Sequence, residues 1–198
     1  MKKVAKIALI FISLMILGVV CIIPVKAQPQ STQYFINADG NLTPSTTLIN
    51  ISGNTYSLSG DINGSIEVDK SGITIEGNGY SLKGSNGMGI WLKAVNSITI
   101  KDLTVEGFFQ SALYLTSSSD NNIYNDSFSS NDYCGINLID SSNDNNIYDN
   151  NVTNNIFAGI VLSCSSPIPS EGSGCNQNKI FLNNSLNSFY CCSSLCYC

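Results

Sequence analysis

The chain has 198 residues, a sequence pI near 4.4 and no histidine. Beyond residue 27 it keeps five lysines (70, 83, 93, 101 and 179), no arginine and all fourteen carboxylates, so acid outnumbers base by nine there. A surface of that sign repels nucleic-acid phosphates and anionic lipid headgroups, which excludes a nucleic-acid partner, and the length suits one domain.

In chain order, the first element is a targeting segment. Lys2, Lys3 and Lys6 precede an uncharged, mostly apolar run from Ile7 to Ile23, followed by Pro24 and Val25-Lys26-Ala27. A basic start, an apolar centre and a small residue at the end describe a secretory signal over residues 1–27, cleaved after Ala27. The rival reading is a retained anchor, because about seventeen apolar residues lie near the lower limit for spanning a bilayer; the chain meets a membrane only if this segment stays. Val20 stands where a lipoprotein signal needs a small residue before Cys21. Residues 28–63 are expected to form an N-terminal cap, with Tyr56, Leu58 and Ile62 covering the first coil of the region that follows.

Residues 64–190 repeat. The phrase SSSDNNIYNDSFSSNDYCGINLID (117–140) aligns with SSNDNNIYDNNVTNNIFAGIVLSC (141–164) at eleven identical positions of twenty-four, among them Asn121/Asn145, Asn122/Asn146, Ile123/Ile147, Tyr124/Tyr148 and Asn131/Asn155. The pattern extends outward. A short apolar motif recurs as SIEV, GIWL, ALYL, GINL and GIVL, led by Ile66, Ile90, Leu113, Ile136 and Ile160. A second series runs Ile75, Ile100, Ile123, Ile147, and a third Val105, Phe128, Val152. A period of 23–25 residues signals a repeat architecture. Its apolar residues alternate over three or four positions and then stop, as in a short strand with one side turned inward. Helical repeats need longer units, and the leucine-dense run of a leucine-rich repeat is absent. The expected fold is therefore all-β: a parallel β-helix, a single-stranded β-solenoid of about five coils with about three short strands in each.

This geometry gives the asparagines a purpose. Coils stack about 4.8 Å apart, so equivalent residues sit above one another. Asparagine tolerates the left-handed backbone of tight corners, and stacked amides can hydrogen-bond along the axis. Asn122/Asn146 and Asn131/Asn155 are the expected ladders. No coil buries its apolar face alone, so neighbours must stabilise one another. The open end is a hazard that end-to-end self-association or the cysteine-rich tail would cover.

The run GSIEVDKSGITIEGNGYSLKG (64–84), then NSITIKDLTVEGF (96–108) and the NNIY…GI-x-L coils, resembles the right-handed parallel β-helix proteins called NosD-like, or periplasmic copper-binding. The resemblance covers roughly residues 54–186 and implies a right-handed coil. Related chains include surface proteins, carbohydrate binders, polysaccharide lyases and epimerases, so it leaves function open. The copper label transfers poorly, because copper prefers imidazole, thiolate or thioether and the exported chain offers no histidine and a single methionine, Met88. No cofactor is expected.

Candidate sites lie on the outward positions. Along the GI-x-L strands these are Glu67, Trp91, Tyr114, Asn137 and Val161. A carboxylate and two aromatics on adjacent rungs suit the faces and hydroxyls of sugar rings; the plain alternative is packing beneath a loop. A second column reads Lys101, Tyr124, Tyr148, flanked by Asp102, Asn125 and Asp149. Catalysis would need a positioned base and a second acid. Asp102 and Asp149 share a column, but two coils separate them by about 9–10 Å, and no arginine is present to neutralise a uronate. Calcium on Asp126, Asp149 and nearby asparagine oxygens is a further option.

Seven cysteines follow the signal, an odd number. Export favours disulfides. Cys164 and Cys175 bracket an insertion of about ten residues and are a candidate disulfide, worth roughly 2–3 kcal/mol. Cys134 aligns with Ala158 and Ser111, which suits a buried thiol. The tail CCSSLCYC offers Cys191, Cys192, Cys196 and Cys198 as a disulfide cap, a weak thiolate metal site or the edge of a longer product. Six N-x-S/T sequons (Asn41, Asn50, Asn63, Asn125, Asn151 and Asn183) matter only where the host glycosylates exported chains.

The leading functional expectation is a secreted, periplasmic or cell-surface β-helix module for structure, adhesion or glycan binding. A polysaccharide-active enzyme on the same fold is the alternative, and a NosD-like metal-handling protein the third.

Overall fold

The structure, a computed structural model, describes residues 31–163, 175–185 and 190–191. Among these every regular element is a strand. Short apolar-centred segments separated by sharp corners cannot close a helical turn. They can place one or two side chains inward and pair with the equivalent segment one coil away.

The strands form three parallel faces. The first carries Ile62–Val68, Ile90–Lys93, Leu113–Thr116, Cys134–Ile139 and Ala158–Ser163, in register through Ile66, Ile90, Leu113, Ile136 and Ile160. The second carries Thr55–Leu58, Thr74–Glu76, Thr99–Lys101, Asn122–Tyr124, Asn146–Tyr148 and Lys179–Phe181. The third carries Ser81–Lys83, Thr104–Glu106, Ser127–Ser129, Asn151–Thr153 and Asn184–Ser185, beginning against Ile62. From Ile66 to Ile160 the chain makes four full turns, with Thr32–Ile36 paired beneath and Tyr190–Cys191 above.

The expected rows are the core. Ile75, Ile100, Ile123 and Ile147 stack at 0% exposure, as do Leu82, Val105, Phe128 and Val152 on the third face. Fully burying one such side chain contributes roughly 1.5–3 kcal/mol, and each row repeats that gain at every coil. The third row ends where Val152 meets Ser185, so the apolar filling thins toward the upper end.

The base differs from a separate cap. Residue 63 lies inside the continuous strand Ile62–Val68, and Tyr56, Leu58 and Ile62 belong to the first coil itself. Thr32–Ile36 forms the bottom rung, with Tyr34 beneath Ile66, and Ile49–Ser52 runs antiparallel along Thr55–Leu58. The reason is edge pairing: a bare bottom strand would leave its backbone groups unmatched. The Tyr56 hydroxyl donates to Gly40 O at 2.6 Å, tying this base to the coil.

The glycine of the GI-x-L motif reflects close approach at a corner. A Cβ on Gly135 would meet Val152 Cγ1 at 2.3 Å and Gly159 O at 2.8 Å. Left-handed residues set the other corners. Ala94, Ser97, Asp102 and Gly107 have positive φ in one coil, Ser117, Asp120, Asn125 and Ser130 in the next, and Ser141, Asp144, Asp149 and Asn154 in the third. The residue after each of these twelve is buried.

Candidate functional site

The outward strip of the first face is in register as expected: Glu67, Trp91, Tyr114, Asn137 and Val161 occupy successive rungs, with Phe35 beneath Glu67. The strip is not uniformly open. Asn137 and Val161 are buried, and Val161 packs with Cys134 and Ala158 in a small cluster apart from the main core. The accessible part is therefore centred on half-buried Trp91 and Tyr114. Their rings meet edge to face at 6.5 Å between centroids. The Trp91 indole N–H donates to Thr116 Oγ1 at 3.2 Å, which fixes its tilt.

Beside Trp91 lies a cleft of about 370 Å³ lined by Gln33, Ser65, Glu67, Asn86, Met88 and Trp91, among others. Glu67 is 8% exposed. Its carboxylate accepts from Gln33 Nε2 at 3.1 Å and from Lys93 Nζ at 3.2 Å. Lys93 Nζ also stands 4.9 Å from the centroid of the Trp91 ring, within cation–π range. The bottom rung thus supplies one wall of the cleft and helps hold the acid, a contribution of Gln33 that repeat spacing did not reveal.

The second aromatic column stacks on itself. Tyr124 and Tyr148 lie 5.1 Å apart at 11°, and Phe181 continues the stack at 5.2 Å and 6°. Their flat faces are occupied by one another, so a ligand approaching from solvent meets ring edges. Lys101, one rung below Tyr124, binds Glu76 at 2.6 Å. That contact holds Glu76 below the usual carboxylate range and raises Lys101.

A second cleft, about 480 Å³, follows the corner between the second and third faces and includes Asp102, Asn125, Asp126 and Asp149. Asn125 Nδ2 donates to Asp102 Oδ1, and Lys101 Nζ lies 3.8 Å from Asp102. Asp126 sits behind the rim at 3% exposure. Among the described residues no three His, Cys, Asp or Glu side chains are grouped to hold a metal ion.

Cys134 is buried, and burial pushes its thiol up to about 12. Cys175 is buried with its sulfur 3.6 Å from Leu138 O. Cys164, Cys192, Cys196 and Cys198 lie outside the described residues, as does the segment 1–27, while Cys191 pairs through its backbone with Leu162.

The asparagine ladders are present and more extensive than expected. Asn146 Nδ2 donates to Asn122 Oδ1 at 3.0 Å and Asn131 Nδ2 to Asn155 Oδ1 at 2.8 Å. A further ladder runs Asn121 to Asn145 to Asn178, at 2.8 and 2.9 Å. Asn150 continues to Asn183 at 3.0 Å. A left-handed residue precedes each member of these two further ladders (Asp120, Asp144, Gln177, Asp149 and Leu182) and turns the next side chain inward; the Asp before Asn121, Asn145 and Asn150 was the one sign of it in the sequence.

The family model for the right handed beta helix region matches residues 35–194. No curated protein and no solved structure matches the chain.

Proposed function

Because the chain belongs to the right-handed β-helix family, we propose that it is an exported, non-enzymatic β-helix module that binds glycan along its first face. The observation that carries this reading is the pairing of Trp91 and Tyr114 on adjacent rungs beside a cleft holding an anchored carboxylate. Aromatic rings offer a sugar its apolar face, and the fixed polar groups of Gln33, Glu67 and Lys93 offer donors and an acceptor for its hydroxyls. The basic, apolar N-terminal segment supports export. The resemblance of segments 64–84 and 96–108 to NosD-like chains supports the proposal of a β-helix module of that kind, without its copper chemistry.

Trp91 is the chain's only tryptophan, so its fluorescence reports directly on the cleft. Titration with oligosaccharides from a glycan array is expected to shift that emission saturably. Tyr114→Ala should weaken binding on the order of tenfold, the loss of one aromatic contact, and Trp91→Ala should abolish array binding. Phe181→Ala, exposed on the second face, should leave it unchanged. Array binding that survives Trp91→Ala, or no glycan bound at all, would end the proposal.

A further inference from the structure

Three corner columns in the upper coils follow one hydrogen-bonding rule, and Asp126 breaks it. At Asn121, Oδ1 accepts from the Ile98 N–H below at 2.8 Å, while the backbone N–H and Nδ2 both donate to Asn145 Oδ1 above, at 3.1 and 2.8 Å. At Asn131, Oδ1 accepts from Phe108 N–H at 3.0 Å, and the backbone N–H and Nδ2 donate to Asn155 Oδ1 at 3.2 and 2.8 Å. Asp126 reproduces the first two contacts: Oδ1 accepts from Leu103 N–H at 2.9 Å, and its backbone N–H donates to Asn150 Oδ1 at 3.0 Å. Its Oδ2 is then left in the place of the amide nitrogen. That oxygen is buried without a partner.

The neighbour above cannot turn to help. Asn150 Oδ1 is identified as oxygen by the backbone N–H it accepts, and Asn150 Nδ2 is committed to Asn183 Oδ1 and Ile123 O, each at 3.0 Å. An ionised Asp126 would set an acceptor against an acceptor inside the stack, with the full cost of an unpaired buried charge. The charged groups around it do not compensate. Asp102 and Asp149 line the same cleft with negative charge, and Lys101 is engaged by Glu76 and Asp102.

We propose that Asp126 is a neutral carboxylic acid in the folded protein, its Oδ2–H donating to Asn150 Oδ1 as a rung of the ladder, so that the upper coils contain a one-proton switch that loosens as pH rises. Burial, with Asp102 adding to it, pushes the Asp126 carboxyl well above its ordinary value, in the direction this geometry requires. The sign follows. The folded state keeps a proton that the unfolded chain releases above the ordinary carboxylate pKa. The stabilisation is whole below that value and is lost as pH rises toward the folded pKa. A cation could also answer a bare Oδ2, but the absence of a grouped ligand set among the described residues favours the proton.

The test is denaturant unfolding of the full chain and of Asp126→Asn between about pH 4 and pH 9. Asparagine supplies the missing N–H, so Asp126→Asn should fold. Relative to it, the wild-type unfolding constant should rise about tenfold per pH unit across the window, the slope of one proton. Added calcium should leave wild type unmoved. Parallel pH profiles, a variant that fails to fold, or calcium that stabilises wild type and not Asp126→Asn would each overturn the proposal. A second readout does not depend on the variant. In ¹³C NMR of labelled wild type, one aspartate carboxyl should hold the neutral-acid shift at about pH 6, and its absence would overturn the assignment.

Discussion

The lower and upper coils share one backbone and fill their corners differently. In the coil of Ile90–Lys93 and Thr99–Lys101, the residues after the left-handed positions are Val95, Ile98, Leu103 and Phe108. One coil higher they are Ser118, Asn121, Asp126 and Asn131, and then Ser142, Asn145, Asn150 and Asn155. The corner geometry therefore does not dictate the side chain. It demands only that the buried backbone groups there be answered. The apolar corners contribute transfer free energy and have their own N–H groups capped by the first polar coil, as Ser118, Asn121, Asp126 and Asn131 accept from Val95, Ile98, Leu103 and Phe108. The polar corners contribute less per residue but are costly to disturb, since a net bond is worth about 1 kcal/mol while an orphaned buried group costs about 1–3 kcal/mol. The upper half thus gains register specificity, because sliding one coil past another unpairs every rung.

Mutations can test this contrast. The largest effect is expected in the upper half. Asn145→Leu removes the acceptor of Asn121 N and Nδ2 and the donor to Asn178 Oδ1 and Ser118 O. Asn178 Oδ1 keeps the backbone N–H of residue 145, so three groups are left unpaired, which at about 1–3 kcal/mol each should cost about 3–9 kcal/mol, read from urea midpoints. In the lower half Leu103→Ala leaves a cavity and should cost about 2–4 kcal/mol. Equal or reversed costs would remove the distinction between the two kinds of corner.

The buried Cys134 thiol, pushed up to about 12, reports on the upper coils selectively. Its alkylation at neutral pH should track unfolding of that half, and Asn145→Leu should speed it in proportion to the stability lost. Rapid alkylation in the native wild type would show that the upper coils open locally.

The smallest effect belongs to the lower half, where the ion pairs of the described residues lie: Lys83–Glu106, Lys93–Glu67, Lys101–Glu76 and the longer Lys101–Asp102. Lys101 lowers the Glu76 carboxyl, so its contribution is present above the ordinary glutamate pKa and is lost as pH falls through the folded value. Glu76→Gln should differ slightly from wild type near neutrality and converge with it in acid. A difference that grows in acid would contradict the pairing.

Much of the fold was legible because each row repeats one residue type at one interval. Ile75, Ile100, Ile123 and Ile147 needed only counting, and the alignment of Ile66, Ile90, Leu113, Ile136 and Ile160 set the outward strip from Glu67 to Val161 in the same way. The ladders were half legible. Asn122/Asn146 and Asn131/Asn155 were read from identity, but the inward turn of Asn121, Asn145 and Asn150, like that of Asn131 and Asn155, depends on the left-handed residue before each, and backbone hand is not written in spacing. The site was less legible still. That Gln33 reaches Glu67 from the bottom rung depends on a contact between residues unrelated by the repeat, while Tyr124 and Tyr148 cover each other's faces, and Asn137 and Val161 are buried on the outer face, through side-chain orientations that spacing does not specify.

The account rests on in-register stacking of successive coils, and long-range methyl NOEs test it most directly. With isoleucine methyls labelled, cross-peaks should link Ile75 to Ile100, Ile100 to Ile123, and Ile123 to Ile147 as one unbroken row. A spectrum in which Ile123 shows no contact with Ile147, or contacts shifted to another residue of the next coil, would contradict it.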